Sequence, residues 1–132
     1  MIVVDTSALV AVAAREPDWL DYLSALQRAE QSYLSPINYV EAGIVLVTRG
    51  FIAEPGDLDL WLDSLRVIVC HDLPLSDRAL VAYLRFGKGV HPARLNLADS
   101  FSYALASILD LPLLYKGGDF ALTDIRPALQ PT

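Results

Sequence analysis

The 132-residue sequence has little of the material that builds disulfide-rich, zinc-binding or membrane-spanning proteins. One cysteine and two histidines exclude an internal disulfide and are too few for a structural zinc site. The longest uncharged stretches, such as residues 31–40 and 100–109, are far shorter than the roughly 18 apolar residues of a membrane-spanning helix. The first residues lack the basic region of a signal peptide, and Asp5 interrupts their apolar run. We therefore expect a cytoplasmic protein without membrane segments.

Linkers, repeats and several catalytic motifs are also absent. No Gly-, Ser- or Pro-rich run is long enough for a linker and no internal period is visible, so residues 1–132 are predicted to form one domain. Without a Gly-x-Ser-x-Gly elbow, a Walker loop or a Gly-x-Gly-x-x-Gly motif, serine-triad acyl transfer and nucleotide binding have no support. Cys70 and His71 are neighbours in a predicted strand and point to opposite faces, so they cannot form a nucleophile pair.

Apolar and acidic residues are abundant instead. Hydrophobic residues make up 54% of the sequence, and the mean hydropathy is +0.38. A domain this small is expected to expose some of that apolar surface, which favours a homodimer. The 16 acidic and 10 basic side chains give a formal net charge of -6. Taken alone, this acidity argues against a nucleic-acid partner, because phosphate binding normally requires a basic surface.

Short apolar strands alternate with helical patterns along the chain. Strands are predicted at Ile2–Val4, Ser32–Leu34, Val67–Cys70 and Leu113–Tyr115. Helices are predicted over about 8–14, after Asp18, over 36–49 with Ser35 as the N-cap, from Pro55, over 77–86 with Ser76 as the N-cap, and over about 97–109 with Asn96 as the N-cap. This alternation predicts βαβ units. The expected class is α/β, with a central parallel sheet covered by helices on both faces.

Four carboxylates stand where a ligand would bind in such a fold. Asp5 directly follows the first predicted strand, and Asp119 follows the last one through a Gly-Gly pair. Ligands of open parallel sheets bind outside the carboxyl ends of the strands. Glu41 falls within the apolar stripe of its helix, where we expect it to face the core, and Asp99 lies in a helix with almost no other charge. These four acids are therefore candidate functional residues.

Each acid also has a purely structural interpretation. Asp5, Asp99 and Asp119 could cap turns or helices, and Glu41 could pair with a buried arginine. The four are more informative together, because the sheet would gather them at one edge. Two charges about 5 Å apart repel by roughly 3 kcal/mol at an effective dielectric constant near 20. Such a cluster requires a cation, and with oxygen ligands alone Mg²⁺ or Mn²⁺ is expected.

Hydroxyl and basic side chains lie near these acids in the sequence. Thr6 and Ser7 follow Asp5, and they could either ligate water around a metal ion or cap the next helix. The segment from residue 78 to residue 98 contains no acid and carries five basic side chains, namely Arg78, Arg85, Lys88, His91 and Arg94. A basic segment beside a metal pocket suits a polyanionic substrate, although an ordinary solvated helix face explains it equally well.

Four segments contain the candidate acids: Val4-Asp5-Thr6-Ser7-Ala8-Leu9, Val40-Glu41-Ala42-Gly43, Leu95-Asn96-Leu97-Ala98-Asp99 with the helix that follows, and Lys116-Gly117-Gly118-Asp119-Phe120. Together they resemble the PIN domain, specifically the VapC ribonuclease toxins of type II toxin–antitoxin systems. The resemblance in order, spacing and length extends over essentially the whole chain. It implies a small α/β/α domain whose acids bind Mg²⁺ or Mn²⁺ and which cleaves RNA.

The resemblance also implies residue roles. Asp5, Glu41 and Asp99 match the core metal-binding acids of the family, and Asp119 matches the fourth. Gly118 stands where relatives often have another acid, which would weaken a second metal site. The leading hypothesis is that metal-activated water hydrolyses an RNA phosphodiester without a histidine base.

Partner expectations follow from the same resemblance. The family is inhibited by a cognate VapB antitoxin, and a groove lined by Trp19, Tyr22, Leu23 and Trp61 is expected to accept an antitoxin segment. Setting the four candidate acids aside leaves 12 acidic against 10 basic side chains, so the acidity is largely local and does not exclude RNA.

Two other functions remain open. A metal-dependent phosphatase would use Asp5 as its nucleophile, although such enzymes need a second aspartate two positions later, where Ser7 stands. A non-catalytic, receiver-like regulatory module would place Asp5 and Asp72 at strand ends, with Lys116 after the last strand.

Overall fold

The computed structural model describes residues 1–130, which form four short strands and six α-helices. In chain order the elements are β1 (Ile2–Val4), α1 (Thr6–Ala13), α2 (Trp19–Arg28), β2 (Ser32–Leu34), α3 (Pro36–Thr48), α4 (Pro55–Ser64), β3 (Val67–Val69), α5 (Leu75–Phe86), α6 (Leu97–Leu109) and β4 (Leu113–Leu114), followed by a 3₁₀ turn at Phe120–Leu122. All strand pairs are parallel, in the order β3-β2-β1-β4. The predicted α/β class with a parallel sheet is confirmed.

Each face of the sheet has its own apolar core, because successive strand residues point to opposite faces. Val4 and Leu114 face a core shared with α1 to α4, whereas Val3 and Leu113 face a core shared with α5 and α6. All four side chains are fully buried. Burying a Val or Leu side chain stabilises a fold by about 1.5–3 kcal/mol, so the strands are held by both layers of helices. The result is the expected α/β/α arrangement.

The strand order reverses at β1. The chain moves from β1 to β2 and on to β3 at one edge, then returns through α5 and α6 to place β4 on the other side of β1. Helices before and after this return cover opposite faces of the sheet. A crevice forms at the carboxyl ends of the strands where such a reversal occurs. Asp5, directly after β1, lies at that position.

Several predicted element boundaries require correction. Helix α1 begins at Thr6 rather than near Ala8, because the Asp5 side chain caps it. Helix α5 begins at Leu75 rather than after Ser76, since Leu75 is buried in the core beneath α5 and α6. Strands β3 and β4 each end one residue earlier than predicted. In the described part of the chain, no helix has the combination of length and apolar content that a bilayer crossing needs.

Candidate active site

A pocket of about 460 Å³ opens at the carboxyl end of β1. Its walls come from α1 and the loop after it, from α3, from the start of α6 and from the residues that follow β4. The lining residues are Asp5, Thr6, Ser7, Val10, Glu16, Glu41, Val45, Asn96, Asp99, Lys116 and Gly117. Three of the four candidate acids, Asp5, Glu41 and Asp99, therefore share one pocket.

Asp5 is buried and its carboxylate accepts hydrogen bonds on both oxygens. One oxygen, Oδ2, accepts from the Ser7 backbone N–H at 3.0 Å and from the Ser7 hydroxyl at 2.7 Å. The other, Oδ1, accepts from the Ser102 hydroxyl at 2.5 Å. The side chain is only 3% exposed, so these donors compensate for the loss of water around a buried charge. Asp5 thus caps α1 and lines the pocket at the same time.

Asp99 also combines a structural bond with a place in the pocket. Its Oδ2 accepts from the Asn96 backbone N–H at 3.0 Å, and Asn96 Oδ1 accepts from the Asp99 N–H at 2.8 Å, which is a capping box at the start of α6. Burial, followed by the charges of Asp5, Glu41 and Asp119, raises the pKa of Asp99 to about 7, against the lowering effect of the Asn96 N–H. The metal-free pocket therefore disfavours a full set of ionised carboxylates.

Glu41 lies in the pocket, but the prediction that it faces the core from an apolar helix stripe was wrong. Helix α3 buries Asn38, Ala42 and Leu46, whereas Ile44, which belonged to the predicted core-facing stripe, is 59% exposed. Glu41 is half-buried at the margin of the buried face, where it reaches the pocket rather than the core. Desolvation and the charge of Asp5 raise its pKa, while a hydrogen bond from Thr6 opposes the shift.

Asn38 connects the elements around the acids, and sequence reasoning missed it. Its side-chain amide is fully buried and donates to Thr6 Oγ1 at 3.1 Å and to the Ala98 carbonyl at 3.3 Å. Its backbone N–H donates to the Ser35 side chain that caps α3. The starts of α1, α3 and α6 are therefore joined through one amide. The available signal was a polar residue three positions after a Ser-Pro helix start.

Thr6 and Ser7 have hydrogen-bond partners within the protein. The Thr6 hydroxyl lies 3.4 Å from the Asn38 carbonyl, and the Ser7 hydroxyl accepts from the Lys116 backbone N–H at 3.0 Å while donating to Asp5. Both hydroxyls therefore support the pocket structurally. Their proposed contact with metal-bound water stays a prediction.

Asp119 is the candidate acid that stands apart. It is exposed before the 3₁₀ turn, its side chain makes no capping bond, and it is not among the residues that line the pocket. Its charge nevertheless contributes to the raised pKa of Asp99, which places it in the electrostatic surroundings of the pocket.

The pocket fits a hard divalent cation by its chemistry rather than by a finished ligand shell. Within residues 1–130, no three His, Cys, Asp or Glu side chains lie close enough together to hold a metal ion. Burial, and after it the charges of Asp5, Glu41 and Asp119, still raises the pKa of Asp99, so a cation bound among these acids would relieve an unfavourable negative charge. Oxygen donors with excess negative charge suit Mg²⁺ or Mn²⁺.

None of the five predicted basic residues lines the acid pocket. Lys88 lines a hollow of about 490 Å³ with Leu97 and Phe101, and this hollow adjoins the pocket because Asn96 lines both. Arg78 and Arg85 line a different hollow between α5 and α6.

Three of the basic side chains have local partners or positions of their own. Arg85 pairs with Asp124 at 3.5 Å. The His91 ring lies edge-on to Phe86, and its Nδ1 accepts from the Ala93 N–H at 3.0 Å. Arg94 is exposed with a left-handed backbone (φ 56°). The structure therefore brings Lys88 towards the pocket and leaves the others along α5 and the following loop.

Comparisons with known proteins identify the family of the chain. The family model described as PIN domain matches residues 2–125. A "Ribonuclease VapC" of Mycolicibacterium smegmatis is 45% identical over 127 residues, covering 94% of this chain and 97% of that protein. "Ribonuclease VapC30" of Mycobacterium tuberculosis is 42% identical over 133 residues, covering 98% and 100%.

Solved structures show the same fold at lower identity. The crystal structure of Mycobacterium tuberculosis VapC20, described as a sarcin-ricin loop cleaving toxin, has a TM-score of 0.71 and 22% identity, covering 96% of this chain and 100% of that chain. A toxin–antitoxin complex from Klebsiella pneumoniae contains a chain with a TM-score of 0.68 and 18% identity, covering 92% and 91%. The chain belongs to the PIN-domain family, within its VapC branch.

Proposed function

We propose that the protein is an Mg²⁺-dependent endoribonuclease toxin, with Mn²⁺ as a possible substitute, that a cognate VapB-type antitoxin neutralises. The observation that carries this proposal is the gathering of Asp5, Glu41 and Asp99 in one pocket at the carboxyl edge of the sheet. Similar proteins that are named as ribonucleases support the same activity.

In this proposal Asp5, Glu41 and Asp99 hold the cation, and Asp119 is a fourth acid that binds from outside the pocket lining. A bound divalent ion would lower the pKa of a water molecule bound to it and would neutralise charge on the phosphate. No histidine or cysteine lines the pocket among the described residues, so its cation ligands would be carboxylates and hydroxyls.

The protein's own hydrogen bonds determine how these acids act. Ser7 and Ser102 fix the orientation of the Asp5 carboxylate before any ligand arrives. Asp99 exchanges a proton near neutral pH, because its pKa is raised to about 7. Cation binding is therefore coupled to loss of that proton, and the pocket presents its full negative charge only when a cation compensates it.

RNA is proposed to approach along the side of the pocket where Lys88 lies. The hollow that contains Lys88 meets the acid pocket at Asn96, and Phe101 in its wall offers an aromatic surface for a base. Arg78, Arg85, His91 and Arg94 extend the basic surface further along the same helix and loop. Their part in RNA binding stays a proposal.

Two protein partners belong to the proposal. The structural similarity to a chain of a toxin–antitoxin complex supports a VapB-type antitoxin. The groove predicted for it stays a proposal: Trp19, Tyr22, Leu23 and Trp61 are partly buried and pack against the first core.

Open apolar surface also lies between α3 and α4, where Val40, Ile44 and Val47 are exposed around a hollow of about 400 Å³. This surface supports the proposed homodimer, which light scattering on the purified protein tests; a monomer at high concentration would contradict it.

The decisive experiment compares the wild type with Asp5→Asn and Asp99→Asn. We expect Mg²⁺-dependent cleavage of RNA by the wild type and loss of cleavage in both variants, because each substitution removes an anionic oxygen from the pocket. Cleavage ends are sequenced from RNA after induction in cells, and circular dichroism checks that the variants fold. An Asp5→Asn protein that still cuts RNA, in a preparation free of other nucleases, would refute the assignment.

The two alternative functions receive less support. Ser7 hydrogen-bonds Asp5 in the place where a phosphatase of this type needs its second aspartate. Asp72 is exposed and does not line the pocket with Asp5, which disfavours a receiver-like module. Phosphoryl transfer to Asp72 that is unaffected by Asp99→Asn would reverse this conclusion.

A further inference from the structure

Lys116 supplies the single basic side chain that lines the acid pocket within residues 1–130. Its backbone N–H donates to the Ser7 hydroxyl at 3.0 Å, and Ser7 in turn donates to Asp5. Its ammonium turns away from these acids: Nζ lies 3.2 Å from Glu16 Oε1 and donates to the Pro17 carbonyl at 3.0 Å. The main chain of Lys116 is thus fixed beside Asp5 while its charge rests on the loop after α1.

The ion pair with Glu16 contributes little to the stability of the fold. The two side chains are 30% and 32% exposed, and ion pairs in contact with water are weak. The backbone of Lys116 is anchored by its bond to Ser7 in any case. The ammonium can therefore exchange Glu16 for another anion without disturbing the pocket.

The charge around the pocket indicates which anion that would be. Glu16 lines the pocket together with Asp5, Glu41 and Asp99, so the pocket wall carries four carboxylates and one ammonium. An incoming phosphodiester meets this excess of negative charge, and it needs a cation from the protein in addition to any bound metal ion. Replacing one carboxylate partner by a phosphate oxygen keeps the ammonium paired throughout, and it turns the charge of Lys116 towards the substrate.

We propose that Lys116 binds a backbone phosphate of the RNA strand next to the bond that is cut, and that Glu16 holds the ammonium until RNA arrives. Lys116 is then a substrate-binding residue, and Glu16 is a positioning residue that acts through it. This inference rests on the proposed ribonuclease function and deepens it. It requires that neutralising the two partners has opposite effects on RNA binding, whereas a merely structural ion pair would give effects of the same sign.

The test measures RNA affinity and cleavage for Lys116→Gln, Lys116→Arg and Glu16→Gln. Affinity is measured by fluorescence anisotropy with short single-stranded RNA of randomised sequence, at several salt concentrations, in an Asp99→Asn background that prevents cleavage. Lys116→Gln should raise the dissociation constant about 5- to 10-fold. It should also reduce the steepness of the salt dependence by about 0.7, the value for one phosphate contact with a single strand. In the protein with Asp99 intact, KM should rise more than kcat falls.

Two controls separate this role from general electrostatics and from folding. Lys116→Arg keeps the charge and should remain close to the wild type. Asp18→Asn removes a nearby exposed charge, and asparagine tolerates the left-handed backbone at that position (φ 69°). Glu16→Gln should strengthen RNA binding more than Asp18→Asn does, and it should have no further effect once Lys116 is already Gln. Urea unfolding verifies that all variants are equally stable.

Several results would overturn the proposal: unchanged affinity and KM in Lys116→Gln, weaker binding in Glu16→Gln, or an equal gain from Asp18→Asn. A wild type that cuts RNA with no dependence on Lys116 would overturn this inference and leave the ribonuclease assignment intact. A wild type that fails to cut RNA but binds it through Lys116 would overturn the ribonuclease assignment and support the phosphate contact.

Discussion

At the scale of single residues, the pocket acids are held by the first turns of the helices that carry or follow them. Asp5 is oriented by Ser7 and Ser102, and Asp99 by the backbone of Asn96. Side chains that are already oriented lose less conformational freedom when a ligand binds. Helix capping is therefore compatible with binding of a ligand at these acids, since hydrogen bonds at the starts of α1 and α6 also orient the carboxylates.

The sequence predicted that Asp5, Glu41 and Asp99 would lie in one pocket, but it placed Asp119 there as well and did not predict the contacts around the acids. Asp5 could be located because it directly follows a β-branched strand, which is a local signal. Glu41 was chosen for an apolar stripe that turns out to be partly exposed, so the residue was found for the wrong reason. Asn38 was missed because its importance comes from contacts with Thr6 and Ala98, which are distant in the chain.

Asn38 should be the most sensitive polar residue outside the acids. We expect Asn38→Ala to lower the free energy of unfolding by about 2–3 kcal/mol, because it leaves buried polar groups without partners. Thr48→Ala, which removes an exposed hydroxyl from the same helix, should change it by less than about 0.5 kcal/mol. Urea denaturation of both variants provides the comparison, and equal losses would mean that the buried amide network contributes nothing.

At the scale of elements, the capped starts of α3 and α6 agree with the sequence, whereas the starts of α1 and α5 do not. Ser35 caps α3 and Asn96 caps α6, as their side chains predict, because a capping bond involves only neighbouring residues. The start of α5 differs because Leu75 is drawn into the core beneath α6. Which face of α3 is buried also depends on the helices that pack against it, which the sequence pattern alone could not reveal.

The end of α5 offers a test at this scale. Gly87 follows the helix, and a Cβ atom there would lie 2.3 Å from the Tyr83 carbonyl oxygen, so Gly87→Ala requires the backbone to move. We expect a loss of about 1–3 kcal/mol in the free energy of unfolding. Gly56→Ala in the first turn of α4 meets no atom within 4 Å and should be neutral or stabilising by up to about 1 kcal/mol. Equal behaviour of the two variants in urea denaturation would contradict this account.

At the scale of the whole molecule, the net charge of -6 matters most at the acid pocket, where several carboxylates lie near one another. The charges of Asp5, Glu41 and Asp119 all act on Asp99, whereas most other acids lie on solvated surfaces. The net negative charge therefore indicates less about the ability to bind RNA than the local arrangement of charges does. A cation in the pocket would compensate for the charges that most oppose a phosphate.

This arrangement predicts how stability depends on pH. The pKa of Asp99 is raised from 3.8 to about 7 in the folded protein, so the folded state binds more protons than the unfolded state between those values. Stability from this group is present below about pH 4 and is lost as the pH rises to about 7. In metal-free buffer, Asp99→Asn should therefore gain melting temperature relative to the wild type as the pH increases from 4.5 to 7.5.

Mg²⁺ should offset this loss of stability at higher pH. It binds the ionised acids, so the increase in melting temperature that it causes in the wild type should grow over the same pH range and should be small in Asp99→Asn. Differential scanning fluorimetry with and without EDTA measures both effects. If the melting temperatures of the wild type and of Asp99→Asn changed in parallel with pH, Asp99 would not be the residue whose ionisation destabilises the fold.

The pocket also joins parts of the chain that are made at very different times. Asp5 contacts Ser102, and Ser7 contacts Lys116, across 97 and 109 positions of sequence. Contacts between such distant residues form slowly, because a long loop must close first. A chain still growing on the ribosome lacks Asp99 and β4, and its acids remain incomplete until both have emerged and packed beside β1. For a protein proposed to cut RNA, we expect this order of assembly to leave the nascent chain inactive until both segments have folded.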